Sequence, residues 1–233
     1  MQNHFKTIGA LAAAAALVAG NAQAEVEYLL HTGYSSEYLW RGQDLGTALV
    51  EAGVDASTTW NGVGLSAGAW YGSFENTGSN VDELDLYAEA SKDFGILKGS
   101  IGYIAYLYPN SNADTAQEVY FGVSHSFGLV DVSLKYFWDA EVDNDGYTEL
   151  AFSHAFEINQ CLSLNVGTNF GYLVEEGDFT AWTTKVALDW GFAEHAKLSP
   201  FVAFSVALSD EPTTLYAGSS NELVGGCMLS VSF

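Results

Sequence analysis

Residues 221–233 read N-E-L-V-G-G-C-M-L-S-V-S-F. Taken alternately back from the end, Phe233, Val231, Leu229, Cys227, Gly225 and Leu223 form an apolar or small face. The other register, Ser232, Ser230, Met228, Gly226 and Val224, is smaller and wetter. A period of two marks a strand with one greasy side. The last strand of a soluble sandwich alternates in the same way but seldom finishes on a bare phenylalanine. In an outer-membrane β-barrel the closing strand turns alternate side chains to lipid and sets an aromatic at the interface. On that reading Leu229, Val231 and Phe233 serve as the closure and assembly signal, the part that a barrel-assembly machinery would engage.

Working backwards, the alternation recurs in segments at 198–208, 179–190, 162–174, 147–157, 129–139, 117–127, 96–108, 83–93, 63–74, 48–60 and 26–40. With the closing strand this makes about twelve, an even number as expected for bacterial barrels. The segment lengths suit strands of 9–11 residues that cross a bilayer at a tilt. In 48–60, Ala48, Val50, Ala52, Val54 and Ala56 point one way, and Glu51, Asp55, Ser57 and Thr59 the other. Segment 26–40 is read as one face carrying Tyr28, Leu30, Thr32, Tyr34, Tyr38 and Trp40. Asn61-Gly62 is the strongest two-residue hairpin signal in the chain. No helical period competes over a comparable length.

Connections alternate as well. Those at 61–62, 94–95 and 127–128 are tight, whereas 75–82, 109–116, 140–146 and 209–220 are long and polar. Short periplasmic turns and long outer loops are the barrel rule, which puts both termini in the periplasm. Aromatics gather at segment ends. Trp60, Phe94, Phe127, Phe156 and Trp190 fall on the turn side, and Trp40, Trp70, Tyr108, Trp138 and Trp182 on the loop side, as two interfacial girdles. The expected fold is therefore all-β, a closed antiparallel transmembrane barrel of about 12 strands.

Residues 1–24 read as an export signal: Lys6 ahead of an apolar run at 8–20, then Ala22-Gln23-Ala24 as a small-x-small cleavage site. That run is too short to span a bilayer as a helix. The barrel is assigned to 25–233. The whole chain carries a net charge of −22, and losing Lys6 with the signal leaves roughly −23. Such a charge excludes a nucleic-acid surface and disfavours anionic lipid heads. Yet charged residues make up only 15% of the chain and aromatics 14%, against about 25% charge in ordinary globular chains. Aromatics and glycine at low charge suit a wall that faces lipid outside and leaves a lumen inside. Cys161 and Cys227 are expected to lie too far apart for a disulfide.

Tyr34-Ser-Ser-Glu-Tyr-Leu-Trp-Arg-Gly42 resembles the S-D-Y-x-[FW]-R-G opening of the TorF family of porin-like proteins, with Glu37 where that pattern has Asp. Asp85-Leu-Tyr87, Tyr106-Leu-Tyr-Pro109, Glu118-Val-Tyr120 and the final Phe233 are similar to that family's segments in the same order. The first motif is the distinctive one. The resemblance implies an outer-membrane, porin-like barrel.

The inward register collects Glu51, Asp55, Glu83, Asp85, Glu89, Glu118, Asp131, Asp139, Glu149 and Asp189 against Lys98, Lys135 and Lys185. An acidic lumen concentrates cations and repels anions. Alternatively, these carboxylates pair with the lysines and fill a closed interior. Twelve strands about 4.8 Å apart and tilted about 40° enclose a backbone diameter of roughly 24 Å. Small inward glycines and serines favour an opening. Arg41, at the loop-side rim, pairs with Glu37 or an inward carboxylate and shapes a constriction, or snorkels to the interface, or fixes the first loop.

A hydrolase would need Ser, His and an orienting acid together. His125 and His154 fall on the outward register while Ser124, Ser126 and Ser153 point inward, so they read as interfacial histidines. His31 faces inward, too far from Glu37 for a dyad. The stretch 141–146 imitates half a calcium loop, but its twelfth position, Phe152, is not an acid. The function expected is a passive pore for small hydrophilic solutes with a cation preference, set among outer-membrane lipid and lipopolysaccharide. It is neither an enzyme nor the holder of a cofactor or metal. The alternative is a non-conducting barrel that acts through its loops as anchor, receptor or assembly partner.

Overall fold

The computed structural model describes residues 25–76, 78–111, 115–140, 146–209 and 220–233. The export segment at 1–24, most of the calcium-loop stretch at 141–145 and most of the 209–220 loop lie outside the described residues.

Twelve strands follow one another without interruption by a helix among those residues. They are β1 (Glu27–Trp40), β2 (Gln43–Trp60), β3 (Val63–Asn76), β4 (Ser79–Asp93), β5 (Lys98–Leu107) and β6 (Ala116–Ser126). After them come β7 (Asp131–Asp139), β8 (Tyr147–Asn159), β9 (Leu162–Leu173), β10 (Asp178–Ala193), β11 (Ala196–Ala207) and β12 (Glu222–Ser232). Each pairs antiparallel with its neighbours in sequence, and β1 pairs with β12 to close the ring. At the seam the register runs from Leu29 opposite Ser232 to Ser35 opposite Gly226. Two further bonds lock the final residue, Phe233 N–H to Tyr28 O at 2.9 Å and Tyr28 N–H to Phe233 O at 3.2 Å. Closure removes every sheet edge, so each strand satisfies its backbone through its neighbours without water.

The outer wall has the polarity expected of lipid contact. Val50 is 56% exposed, Leu223 70% and Phe233 69%, and large exposed apolar residues recur on the outward register of every strand pair. A water-facing surface seldom carries a contiguous band of this kind. The turn-end girdle stands as expected, with Trp60, Phe94, Phe127, Phe156 and Trp190 all exposed.

At the loop end the girdle differs from expectation. Trp138 and Trp182 do face outward. Trp40 and Tyr108 instead line an interior cavity, and Trp70 packs inside against Tyr38 with ring centres 5.5 Å apart. Along β1 the alternation breaks between Ser35 and Tyr38, both buried within at 5% and 8% exposure though three residues apart. The pairing with β2 shifts just beyond, where Glu37 to Leu39 faces the longer step from Thr47 to Asp44. Tyr34 lies outside at 50% exposure, and the single face read across 26–40 divides in two. The 75–82 connection is also shorter than expected. β3 and β4 continue to a pairing of Asn76 with Ser79, and the polar residues belong to strand ends.

Candidate functional site

The β1–β2 connection consists of Arg41 and Gly42 alone. Both have positive φ, 52° and 84°, as the tight turn that matches strand twist requires. In the ring, β1 and β6 stand five places apart, nearly opposite. Even so, Arg41 Nη1 donates to Glu118 Oε1 and Nη2 to Glu118 Oε2, each at 2.7 Å. The turn and its side chains thus bridge opposite walls of the lumen. The guanidinium carbon lies 4.4 Å from the Trp40 ring centre, 4.5 Å from Phe137 and 4.3 Å from Tyr147. Tyr106 Oη donates to Glu118 Oε2 at 2.9 Å and fixes that carboxylate. Of the readings of Arg41, pairing with an inward carboxylate matches the structure; the partner is Glu118, and the same bonds tie down the first turn. The guanidinium is buried and does not snorkel.

Beneath this bridge lie two small apolar clusters. Tyr38, Leu49 and Phe74 form one on the β1–β3 wall, and Tyr147 with Leu173 forms the other on the β8–β9 wall. Trp40 packs against both. Glu83, Asp85 and Glu118 are buried in this zone, at 3%, 8% and 8% exposure. They lie inside as expected and are largely covered by neighbours, with Asp85 on the wall of one interior cavity and Glu83 and Glu118 on that of another.

Further from the loop end, several lumenal carboxylates are held by a named neighbour. Trp70 Nε1 donates to Glu51 Oε2 at 2.6 Å, and Tyr87 Oη to Asp55 Oδ1 at 2.6 Å. Tyr120 Oη donates to Glu89 Oε2 at 3.1 Å, and Asn169 Nδ2 to Glu149 Oε2 at 2.9 Å. Lys135 Nζ stands 3.9 Å from Glu89 Oε2 and 5.0 Å from the Tyr120 ring centre. Lys185 Nζ lies 3.9 Å over the Phe201 ring. Asp189 pairs with Lys197 at 2.6 Å, a cation the alternation did not single out. His31 Nε2 lies 3.6 Å from Asp55 Oδ2, likewise unforeseen because the partner sits on the adjacent strand. Asp131 lines a turn-end cavity together with Lys98, and Asp139 lines the loop-end one.

Inward glycines divide into two kinds: Gly167, where a Cβ would meet nothing nearer than 3.9 Å, lines a cavity, whereas others are covered by rings. A Cβ on Gly102 would meet the Tyr120 ring at 2.1 Å, and one on Gly68 the Tyr87 ring at 2.5 Å. Tyrosines lie down on the glycines of the next strand, where only a bare backbone leaves room. The remaining space divides into cavities. One of about 520 Å³ is lined by Glu51, Trp70, Asp85, Asn169 and Lys185. A second of about 530 Å³ opens at the turn end beside Ser124, Asp131 and Ser153. A third, about 270 Å³, adjoins Arg41. His125 and His154 meet Phe127 and Phe156 edge to face, each with ring centres 4.4 Å apart. Both cysteines are unpaired, as expected, with Cys161 exposed in the β8–β9 turn.

No curated protein matches the sequence. Among solved structures, an outer-membrane channel from Pseudomonas putida F1 superposes with a TM-score of 0.55 at 11% identity, covering 89% of this chain and 95% of that one. The NanC porin gives a TM-score of 0.55 at 11% identity over 88% and 98%. The KdgM porin, in complex with disordered oligogalacturonate, gives 0.55 at 11% over 89% and 99%. At such identities the likeness is one of fold, and the fold is that of outer-membrane porins and channels. The chain belongs to the Gcw_chp family, bacterial proteins of unknown function, whose model matches residues 19–218.

Proposed function

We propose that residues 1–24 direct export and that the remainder inserts in the bacterial outer membrane as a passive pore for small hydrophilic solutes with a cation preference. The observation that carries this reading is the polarity of a closed wall. Its outside is an apolar band with aromatic ends, and its inward register holds more carboxylates than cations. A negative interior bounded by low-dielectric walls concentrates cations along the axis. Arg41, Lys135, Lys185 and Lys197 lie against carboxylates or aromatic rings, which leaves an excess of negative charge. The resemblance of the 34–42 stretch to the TorF family supports the same reading. In this orientation the short turns and both ends of the chain face the periplasm, and Leu229, Val231 and Phe233 present the closing strand to the assembly machinery.

Planar-bilayer recordings of the refolded protein test the proposal. Discrete openings are expected, with a reversal potential on the cation-selective side in a KCl gradient. Anion selectivity, or the absence of openings, rejects it.

A second reading is favoured by the two clusters under the Arg41 bridge, which fill the loop end. It holds that the resting barrel is shut and acts through its loops. A barrel that conducts only after the bridge is removed would support this alternative.

A further inference from the structure

We propose that the pocket now filled by the Arg41 side chain is a recognition site for small guanidinium-bearing solutes, with Arg41 as their tethered competitor. The inference rests on the reading of the lumen as a solute path, because a solute must enter to reach the pocket.

The receptor half of the site belongs to the wall and not to the turn. Glu118 on β6, Phe137 on β7 and Tyr147 on β8 come from three consecutive strands, and Tyr106 on β5 steadies the Glu118 carboxylate. Trp40, the last residue of β1, and Arg41 of the turn come from the far wall. A constellation on paired strands keeps its geometry when a turn moves away. Three ring faces within 4.5 Å of one cation make an aromatic box of the kind that selects organic cations. The chemistry is narrower than positive charge alone. Two parallel N–H donors meet two carboxylate oxygens at 2.7 Å, a fork that a planar guanidinium supplies and an ammonium does not. Guanidinium is also the more weakly hydrated of the two, so an apolar box desolvates it at lower cost.

Room for the rest of a solute lies alongside. The cavity of about 270 Å³ next to Arg41 is also lined by Glu83, Tyr108 and Asp139. Arg41 holds φ at 52°, a left-handed conformation set by the two-residue turn and one that glycine adopts without cost. Displacement by a free guanidinium would release the turn from Glu118 and unblock the loop end, which couples recognition to opening.

The test titrates the refolded barrel in detergent micelles with methylguanidinium by calorimetry, using methylammonium as control. Arg41→Gly vacates the box and suits the turn's positive φ. Saturable binding of methylguanidinium to Arg41→Gly is expected, with at least about tenfold weaker binding to the unaltered protein, whose own arginine competes at an effective concentration on the order of millimolar or above. Adding Glu118→Gln should abolish binding. Equal affinity for methylammonium, equal affinity of the two parent forms, or survival of binding in the double variant would each overturn the proposal. Heat-modifiable gel migration reports folding. Should Arg41→Gly fail to fold, Arg41→Asn keeps a residue that tolerates the left-handed turn. Should both fail, saturable binding by the unaltered protein at high methylguanidinium is required, and its absence overturns the site. The readout does not depend on conduction. A barrel that binds but never conducts sinks the pore and keeps the site, and a conducting barrel without binding does the reverse.

Discussion

Trp70 and Glu51, on adjacent strands, meet inside the barrel, where the indole N–H donates to the carboxylate at 2.6 Å. The donor is neutral, so the bond orders Glu51 without cancelling its charge. Tyr87 on Asp55 and Tyr120 on Glu89 repeat the device. These bonds hold the three carboxylates at fixed positions on the wall. Changing Glu51→Gln, Asp55→Asn and Glu89→Gln together retains an acceptor at each place and removes the charge. The reversal potential in a KCl gradient is expected to move toward zero, with heat-modifiable migration preserved. Unchanged selectivity would assign cation preference to other groups.

The Arg41–Glu118 bridge has a different balance. Removing one member of a buried pair and leaving the other in place costs about 3–5 kcal/mol. The three cation–π contacts that hold the guanidinium are each worth about 0.5–2 kcal/mol. These magnitudes are comparable, so Glu118→Ala frees the turn to swing into water. Trypsin cleavage after Arg41 is expected to accelerate by about tenfold, the effect of about 1.4 kcal/mol of easier local opening, and single-channel current should rise. Resistance to trypsin equal to that of the unaltered protein would mean that the aromatic box alone anchors the turn.

Wherever a strand is uninterrupted, alternation reads its faces correctly. The outward Val50, Ala52 and Val54 and the inward Glu83, Asp85 and Glu89 stand where period two puts them, because the pleat and the lipid impose the same rule. Legibility stops within β1 between Ser35 and Tyr38, which are both buried though three residues apart. The faces beyond that point are exchanged, and no residue type in Ser36-Glu37 announces it. Trp40 and Trp70 were indistinguishable from girdle residues for a related reason. An aromatic at a strand end suits the membrane interface or a neighbouring glycine equally well, and only the pairing register decides. Glu118 was legible as an inward acid. Its meeting with Arg41 was not, because the two are 77 residues apart and joined only by the ring's curvature.

Tyrosines that lie on glycines carry a packing prediction. A Cβ built on Gly102 falls 2.1 Å from the Tyr120 ring, and overpacking of this kind costs about 1–3 kcal/mol. Gly102→Ala is expected to lower the temperature at which the folded band converts on a gel. Tyr120→Ala in the same chain removes the clash along with the bond to Glu89. The two changes should therefore be less than additive, with a coupling of about 0.5–3 kcal/mol. Strict additivity would show that the ring moves aside without loss and that the glycine is dispensable.

Orientation follows from which end of the barrel carries the short turns, and Cys161 offers a direct probe of it. The thiol is exposed in the β8–β9 turn, at the end that holds Asn61-Gly62 and, in the orientation proposed above, faces the periplasm. Cys227 lies on β12 with its side chain in the outward register, partly covered by its neighbours. With Cys227→Ser as background, Cys161 becomes the one thiol of the mature chain. A bulky polyethylene-glycol maleimide added to intact cells should leave it unmodified, because the reagent cannot cross the outer membrane. Permeabilising that membrane should expose it, and the modified protein would then shift upward on a gel. Modification of intact cells at the same rate would reverse the barrel in the membrane. It would put the Arg41 turn on the periplasmic side, where it would guard the exit instead of the entrance.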